Sequence, residues 1–167
     1  SLAADTNRPD ELAVYDGALY FRATGALGRE LWKFDGTTAS LAADIHAGSG
    51  DSYPDNLTVY DGNLYFEAND GVDGSELWVF DGTDANQVAD IRAGSSGGNP
   101  SDFTVYDGNL YFRANDGVDG SELWVFDGTT ASQVADIRSG SSGSYPEDFV
   151  VFNGALYFVA DDDTHGE

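Results

Sequence analysis

The sequence predicts an all-β fold in which tandem four-stranded antiparallel sheets are arranged like the blades of a β-propeller. Three observations predict it: a long segment recurs along the chain, Asp-Gly pairs separate alternating apolar runs, and the strands are apolar on both faces. A stacked array of β repeats is the alternative. It is disfavoured because tight hairpins indicate antiparallel pairing, which stacked coils do not use.

The repeat is visible as nearly identical sequence segments. Residues 57–83 read LTVYDGNLYFEANDGVDGSELWVFDGT, and residues 103–129, 46 positions later, read FTVYDGNLYFRANDGVDGSELWVFDGT. An earlier copy covers residues 13–37, and a fourth copy starts at residue 150. We expect a single repeat domain over residues 1–167, with repeats at about 6–44, 45–90 and 91–136, and an incomplete repeat at about 137–167 that a strand at residues 1–5 completes in part.

Each repeat contains four candidate strands, described here for the second copy. Residues 57–60 and 64–68 form a hairpin, because Asp61-Gly62 suits the two positive φ angles of a type I′ turn. A polar loop leads to the third strand at residues 76–80, and a further turn leads to the fourth at residues 87–91. No segment shows the apolar periodicity of an amphipathic helix.

Both faces of these strands carry bulky apolar groups. In the second strand Leu64 and Phe66 point to one side and Tyr65 to the other, since side chains alternate along a strand. A strand that is apolar on both faces needs cover on both faces. Neighbouring copies of the repeat can supply that cover, as they do between propeller blades.

The charge balance excludes several classes of partner. The chain has 30 acidic and 7 basic residues, a formal charge of −23 and no cysteine. Such a surface repels phosphate backbones and anionic lipid heads, so we expect neither nucleic-acid binding nor membrane insertion. An acidic surface with a single lysine suits salty or calcium-containing water. We therefore expect an extracellular or bacterial cell-surface location.

If the two ends of the sequence are those of the protein, they predict unpaired strand edges; the alternative is that the sequence belongs to a longer array of the same repeats. Residues 1–5 resemble the fourth strand of a repeat, and residue 167 stands where the other copies continue into Leu-Trp. Unpaired edges are templates for another chain, and head-to-tail pairing gives a ring or a fibre. We therefore expect a homo-oligomer or polymer.

One octet recurs in the third strand and the turn after it. Residues 30–37 read ELWKFDGT, and residues 76–83 and 122–129 both read ELWVFDGT. The chain resembles, over nearly its whole length, the bacterial ELWxxDGT repeat family. The resemblance implies large, repeat-bearing bacterial proteins that are exported or surface-associated, propeller-like and without an established catalytic activity.

The octet also has a purely structural interpretation. Leu and Trp lie on opposite faces of the strand, and Asp-Gly-Thr makes the turn that follows. The alternative is that the tryptophans form an exposed platform for sugars. The predicted structural residues are Trp32, Trp78, Trp124, Asp35, Gly36, Asp81, Gly82, Asp127 and Gly128.

The loop between the second and third strands is a candidate calcium site, because closely spaced oxygen ligands with glycine bends suit a hard cation. The alternative is a solvated turn in which Asp and Asn bond to their own backbone. The first copy lacks these acids, so the fold does not require the site. The candidate ligands are Asn69, Asp70, Asp73, Glu76, Asn115, Asp116, Asp119 and Glu122.

One variable position in the second strand suggests contacts between repeats. It is occupied by Arg22, Glu67 and Arg113 in successive copies. If neighbouring repeats stack, Glu67 could lie between the two arginines and favour the correct order of repeats. The alternative is ordinary variation at a solvent-facing position.

Catalysis has little support in the sequence. His46 and His165 occupy non-equivalent loop positions, neither in a nucleophile elbow nor in a metal-binding HExxH phrase, and both are expected to be exposed. We predict a non-enzymatic structural or adhesive repeat module that self-associates through blade stacking and edge-strand pairing. The alternative is a lectin-like propeller that binds a carbohydrate or a surface protein, assisted by calcium.

Overall fold

A computed structural model describes residues 7–164 and shows 14 β-strands in four separate antiparallel sheets. Three sheets have four strands each, and the last has two. Within residues 7–164 there is no helix. The prediction of an all-β protein with antiparallel four-stranded sheets is confirmed. The strand predicted at residues 1–5 lies outside the described residues.

The strands of each sheet lie side by side in chain order. The first sheet contains β1 (Asn7–Tyr15), β2 (Ala18–Gly25), β3 (Gly28–Phe34) and β4 (Ala39–Ala43). The second contains β5 (Asp55–Tyr60), β6 (Asn63–Asn69), β7 (Ser75–Phe80) and β8 (Ala85–Ala89). The third contains β9 (Ser101–Tyr106), β10 (Asn109–Asn115), β11 (Ser121–Phe126) and β12 (Ala131–Ala135). The fourth contains β13 (Glu147–Phe152) and β14 (Ala155–Val159).

The hairpins between the first two strands of each sheet have the predicted backbone. Asp61 and Gly62 have φ angles of 45° and 77°. A type I′ turn needs positive φ at both central residues, and Asp and Gly tolerate it well. Both central residues also have positive φ in the other three hairpins, at Asp16-Gly17, Asp107-Gly108 and Asn153-Gly154.

Two details differ from the sequence-based expectation. The first strand of each sheet contains an irregularity, seen in the second sheet as a register shift between Asp55 and Thr58 with Asn56 at φ 59°. The fourth strand begins and ends two residues earlier than predicted, at Ala85–Ala89. It ends there because the N–H of Ile91 donates to the side chain of Glu76 on the third strand and not to the backbone of a neighbouring strand.

The apolar cores lie between consecutive sheets. One core joins residues of the first and second sheets, and another joins residues of the second and third. The first strands β1, β5, β9 and β13 contact one another in that order. The apolar faces that meet at these two cores are thus covered by a neighbouring sheet along the chain.

Candidate functional site: the junction between neighbouring sheets

A buried glutamate lies at the centre of each junction. Glu76, on β7, has no exposed surface. Its carboxylate accepts hydrogen bonds from the backbone N–H of Ile91 at 2.8 Å and of Arg92 at 3.2 Å, where the chain leaves the second sheet. It also accepts one from Gly98 at 2.6 Å, where the chain enters the third. Glu76 therefore fixes both ends of the connection between the sheets.

The same arrangement recurs in the other two junctions. Glu30 accepts from the N–H of Ile45 at 2.8 Å and from the hydroxyl of Ser52 at 2.6 Å. Glu122 is likewise fully buried and accepts from the N–H of Ile137 at 3.0 Å and from the hydroxyl of Ser144 at 2.6 Å. These glutamates begin the recurring octet, so one residue of the motif holds each connection.

Burial shifts the ionisation of Glu76 and Glu30. It raises the pKa of Glu76 to about 7, against the lowering effect of the three backbone N–H groups. Burial also raises the pKa of Glu30, although Ser52 and backbone N–H groups donate to it. Desolvation disfavours the charged carboxylate, whereas donated hydrogen bonds favour it.

The connecting segment also bonds to both sheets through its backbone. Between the first and second sheets, the N–H of Ser52 donates to the carbonyl of Arg29 at 3.0 Å. The carbonyl of Ser52 accepts from the N–H of Asn69 at 2.9 Å. The close approach requires glycine, because a Cβ at Gly28 would overlap the carbonyl of Gly50. The connection is thus held between two sheets rather than exposed as a free loop.

Aromatic rings pack across each complete junction. Phe80 of the second sheet lies 6.5 Å from the ring of Tyr15 and 5.5 Å from that of Tyr20, both in the first sheet. All three rings are buried. Tyr60, Tyr65 and Phe126 repeat this cluster between the second and third sheets.

Tyrosine hydroxyls tie the hairpins of neighbouring sheets together. The hydroxyl of Tyr60 donates to the carbonyl of Gly108 at 2.9 Å, and that of Tyr106 donates to the carbonyl of Gly154 at 2.9 Å. A buried or partly buried tyrosine hydroxyl needs such a partner. The two bonds place the third sheet on the second and the fourth on the third in the same way.

The predicted contact between Glu67 and two arginines is not present as an ion pair. Arg22 instead lies 2.8 Å from Asp10 in its own sheet and 3.1 Å from Asp55 in the next. Arg113 bonds to Ser101 of its own sheet and lies 3.1 Å from Asp102. This position does link repeats. Its partner lies at the start of the first strand of the following sheet, because the second strand of one sheet meets the first strand of the following sheet across the junction.

This geometry explains which residues of the following sheet are charged opposite Arg22, Glu67 and Arg113. Arg22 meets Asp55, and Arg113 lies 4.0 Å from Glu147. The corresponding position after Glu67 is Ser101, which carries no charge. An acid at position 101 would add to the negative charge of Asp55, which already pairs with Glu67 and raises its pKa.

We expect a measurable coupling between Arg22 and Asp55. A double-mutant cycle with Arg22→Ala and Asp55→Ala should give about 0.5–1 kcal/mol, because the arginine is mostly buried whereas the aspartate is partly exposed. The pair Arg113 and Glu147, with its longer separation, is the matched control and should couple less. Urea denaturation measures both. A coupling of zero between Arg22 and Asp55 would show that this ion pair does not stabilise the contact between the sheets.

Glu67 makes stability depend on pH. Burial raises its pKa to about 7, and Asp55 adds to this effect. Between the ordinary glutamate pKa and this value the folded protein keeps a proton that the unfolded chain has lost, so the free energy of unfolding should fall as pH rises through that window. Urea midpoints measured at about pH 5 and about pH 7.5 should show the fall, and Glu67→Gln should reduce it. An unchanged slope in the variant would contradict this origin.

The predicted calcium ligands do not converge on one point. Asn69 accepts from the N–H of Gly71 at 2.7 Å, and Asp70 from that of Val72 at 2.8 Å, as in the solvated-turn alternative. Glu76 points into its junction instead. Across residues 7–164, no group of three or more His, Cys, Asp or Glu side chains is placed to hold a metal ion. Asp73 donates its N–H to Asp70. In the third sheet Asn115 and Asp116 make the same turn, Asp119 donates its N–H to Asp116, and Glu122 lies in a junction.

The aspartates of the octet form the turns. Asp35 accepts from the N–H of Thr37 and of Thr38, both at 2.8 Å, and these bonds hold its pKa below the ordinary value. Gly36 follows with φ 94°, where glycine is favoured. Asp81 and Asp127 bond in the same way, and Gly82 and Gly128 also have positive φ.

The three tryptophans are placed at the sheet faces. Trp78 is 8% exposed and belongs to the core between the first and second sheets. Trp124 is half-buried and packs against the next core. Trp32 is half-buried, and its ring lies against Gly25. The packing interpretation describes Trp78 and Trp124 better than an exposed platform does.

His46 is half-buried rather than exposed. Its ring lies against Gly50 and Gly71, in the space between the first and second sheets, and its Nδ1 is 3.3 Å from the carbonyl of Asp51. Two glycines leave room for the ring, which is why sequence reasoning on an isolated loop residue missed it. His165 lies outside the described residues.

A cavity of 320 Å³ lies among the first strands. Residues from all four sheets line it, each from the irregular position of its first strand. Asn56 donates its N–H to Glu11 at 3.3 Å, and Asp102 donates its N–H to Asn56 at 3.3 Å, so adjacent sheets are linked around it. Burial raises the pKa of Glu11, and Asp55 adds to the shift.

Comparisons with family profiles, curated proteins and solved structures gave no match. The resemblance to the ELWxxDGT repeat family therefore stays a prediction. No helix within residues 7–164 is long and apolar enough to cross a membrane.

Proposed function

We propose that the chain is a non-enzymatic structural or adhesive module of the extracellular space or bacterial cell surface, and that its sheets act as blades of a β-propeller-like array. Two observations support the propeller-like arrangement. The first strands of successive sheets are neighbours, and residues from all four of them line one cavity. Blades around a common axis have both properties.

The proposed mechanism is self-association through sheet faces and strand edges. One observation carries it: among residues 7–164, the fourth sheet exposes residues whose counterparts in the first two sheets are buried. Phe152 is 61% and Tyr157 53% exposed, whereas Tyr60 and Tyr65 at the same repeat positions are 5% and 6% exposed. Large exposed apolar patches mark interaction sites. A second copy of the chain would offer this patch the exposed apolar residues Leu12 and Val14 of its first sheet.

Light scattering coupled to size-exclusion chromatography, together with electron microscopy, tests the proposal. We expect a mass that rises with concentration, and rings or fibres in the images. Phe152→Ser with Tyr157→Ser should shift the protein toward the monomer, whereas Val72→Ser, a change of an equally exposed loop residue, should not. A monomer at all concentrations would refute self-association.

The cavity among the first strands favours a second candidate function, a lectin-like propeller that binds a carbohydrate or a surface protein. Polar side chains such as Glu11, Asn56 and Asp102 share the cavity with apolar ones such as Leu57 and Phe103. Most of the lining residues are polar, and converging polar groups can orient a ligand rich in hydroxyl groups. A glycan array measured with and without a chelator tests this candidate and any need for calcium. Turnover of a glycoside would contradict both functions.

A further inference from the structure

We infer that a cavity beside Tyr53, where the connection between the first and second sheets meets the loop joining β6 to β7, is a binding site for one neutral sugar residue. The cavity has a volume of 200 Å³. The inference rests on the carbohydrate-binding candidate function, but it uses a different cavity from the one among the first strands. The side chains that would contact the sugar are those of His46, Asp51, Tyr53, Asn69 and Ser95.

Two residues that line this cavity depart from the repeat. The connection between the first and second sheets has a histidine and an aspartate where both other connections have an arginine and a glycine. The equivalents are Arg92 and Arg138 for His46, and Gly97 and Gly143 for Asp51. The other two junctions form around their buried glutamates without the histidine and the aspartate. The fold therefore does not require the two residues, and both adjoin one cavity.

The histidine leaves space that an arginine fills in the following junction. There the Nε of Arg92 lies so close to Gly117 that a Cβ on this glycine would be only 2.8 Å away. The His46 ring lies against Gly71, which is the equivalent glycine. A histidine side chain is shorter than that of arginine, and the cavity adjoins its ring.

Tyr53 supplies an aromatic ring that is 51% exposed. Its hydroxyl donates to the carboxylate of Asp51 at 2.9 Å, and the guanidinium of Arg29 lies over the ring at 5.8 Å from its centroid. These two contacts fix the ring, while half of its surface remains open to solvent. A tyrosine held in this way offers an apolar surface for the C–H groups of a sugar beside a polar end.

Two hydrogen-bond acceptors lie next to this ring. The carboxylate of Asp51 accepts from the N–H of Arg29 at 2.7 Å and from the hydroxyl of Tyr53. A carboxylate has about four lone-pair sites, so this one can accept further bonds from a ligand. The Nδ1 of His46 donates to the carbonyl of Asp51 at 3.3 Å, since a carbonyl can only accept. The Nε2 of the neutral ring is therefore an acceptor as well.

Two donors line the same cavity. The side-chain oxygen of Asn69 accepts from the N–H of Gly71 at 2.7 Å, which directs its NH₂ group away from the turn. Within residues 7–164, no group accepts from this NH₂ group or bonds to the hydroxyl of Ser95. Both are thus available to a ligand that enters the cavity.

A neutral sugar fits this combination of groups better than an ion does. Each sugar hydroxyl both donates and accepts, and its C–H face packs against an aromatic ring. The formal charge of −23 disfavours an anionic ligand. Among the described residues, no group of three or more acidic, histidine or cysteine side chains could hold a metal ion. Cavities that enclose a drug-sized ligand measure about 300–1,000 Å³, so this smaller one suits a single sugar residue.

NMR spectroscopy of the isotopically labelled whole chain tests the inference. The probes are the methyl glycosides of glucose, galactose, mannose, fucose and N-acetylglucosamine, each titrated separately. We expect at least one probe to give saturable shifts in the signals of Asp51, Asn69 and Ser95. The signals of Gly143 and Asn115, which are equivalent to Asp51 and Asn69 in other repeats, should not move.

Variants that borrow residues from the other repeats locate the site. Tyr53→Asn introduces the residue found at position 99, where the φ angle is 47° compared with 48° at Tyr53, so the backbone suits both. His46→Arg introduces the residue of the other two connections and should fill the cavity. Each change should weaken binding by about tenfold or more. Tyr145→Asn is the matched control and should leave binding unchanged, because Tyr145 is 57% exposed with φ 49° but has no equivalent of Asp51 beside it.

The dispersion of the NMR signals confirms that each variant is folded. Absence of a saturable shift with every probe, or equal binding by Tyr53→Asn and the wild type, would overturn the inference. The glycan array decides the candidate function separately. Binding on the array that Tyr53→Asn leaves unchanged would refute this site and keep the carbohydrate function, whereas absence of binding in both experiments would refute both.

Discussion

Replacing Glu76 by alanine is expected to destabilise the protein by about 3 kcal/mol, because one buried and two partly buried N–H groups would lose their acceptor. Two of these groups belong to the chain leaving the second sheet, and one belongs to the chain entering the third. The loss should therefore loosen the whole connection rather than one side-chain contact. Urea denaturation followed by circular dichroism measures it.

Two variants serve as controls for this prediction. Glu76→Gln keeps an acceptor oxygen and should cost less than alanine. Glu147→Ala removes a glutamate that is 53% exposed and should change the free energy of unfolding by less than about 0.5 kcal/mol. If Glu76→Ala were no more destabilising than Glu147→Ala, the glutamate would not hold the junction.

Phe80→Ala is expected to destabilise the protein by about 3–4 kcal/mol. The ring is 2% exposed and packs against Tyr15 and Tyr20 of the preceding sheet. Its removal leaves a cavity between two sheets that cannot easily close, since backbone bonds fix their spacing on both sides. The free energy of unfolding reports the effect.

The same position in the first sheet supplies the matched control. Phe34 occupies the same place in the octet but is only half-buried. Phe34→Ala should therefore cost clearly less than Phe80→Ala, since the cost of truncation rises with burial. Equal costs would show that packing within one sheet, rather than between sheets, stabilises the octet.

Local features of the fold could be predicted from the sequence. The Asp61-Gly62 pair specifies its turn through the backbone of two adjacent residues, and alternating apolar residues specify the strands. Leu64, Phe66 and Tyr65 are all buried, as strands with two apolar faces require. The bulge at Asn56 was not predicted, because nothing in the adjacent residues distinguishes a bulged strand from a regular one.

The central residues of the junction could not be predicted from local pattern. Glu76 bonds to groups 15, 16 and 22 positions away in the sequence. Its local surroundings suggested a metal ligand, because the loop before it is rich in oxygen atoms. The available signal was an acid that recurs without change at the start of an apolar strand, in Glu30, Glu76 and Glu122. A charged residue in that setting indicates a buried hydrogen-bond acceptor.

The sequence predicted that a charge at Arg22 contacts a neighbouring repeat, but it did not predict which residue is contacted. A charge at this position does reach the next sheet, yet it meets Asp55 rather than Glu67. The sequence pattern compared second strands with each other, whereas the sheets are offset so that a second strand meets the first strand of the next sheet. Only the packing of whole sheets determines this offset.

Hydrogen exchange measured by NMR tests most directly the claim that each sheet is held by its neighbour through the buried glutamates. The amides of Gly98 and Ser144 donate to Glu76 and Glu122, although they lie outside the strands. We predict that they exchange as slowly as the amides of β6 and β10, and far more slowly than the amide of the exposed loop residue Gly140. Exchange as fast as that of Gly140 would contradict the account.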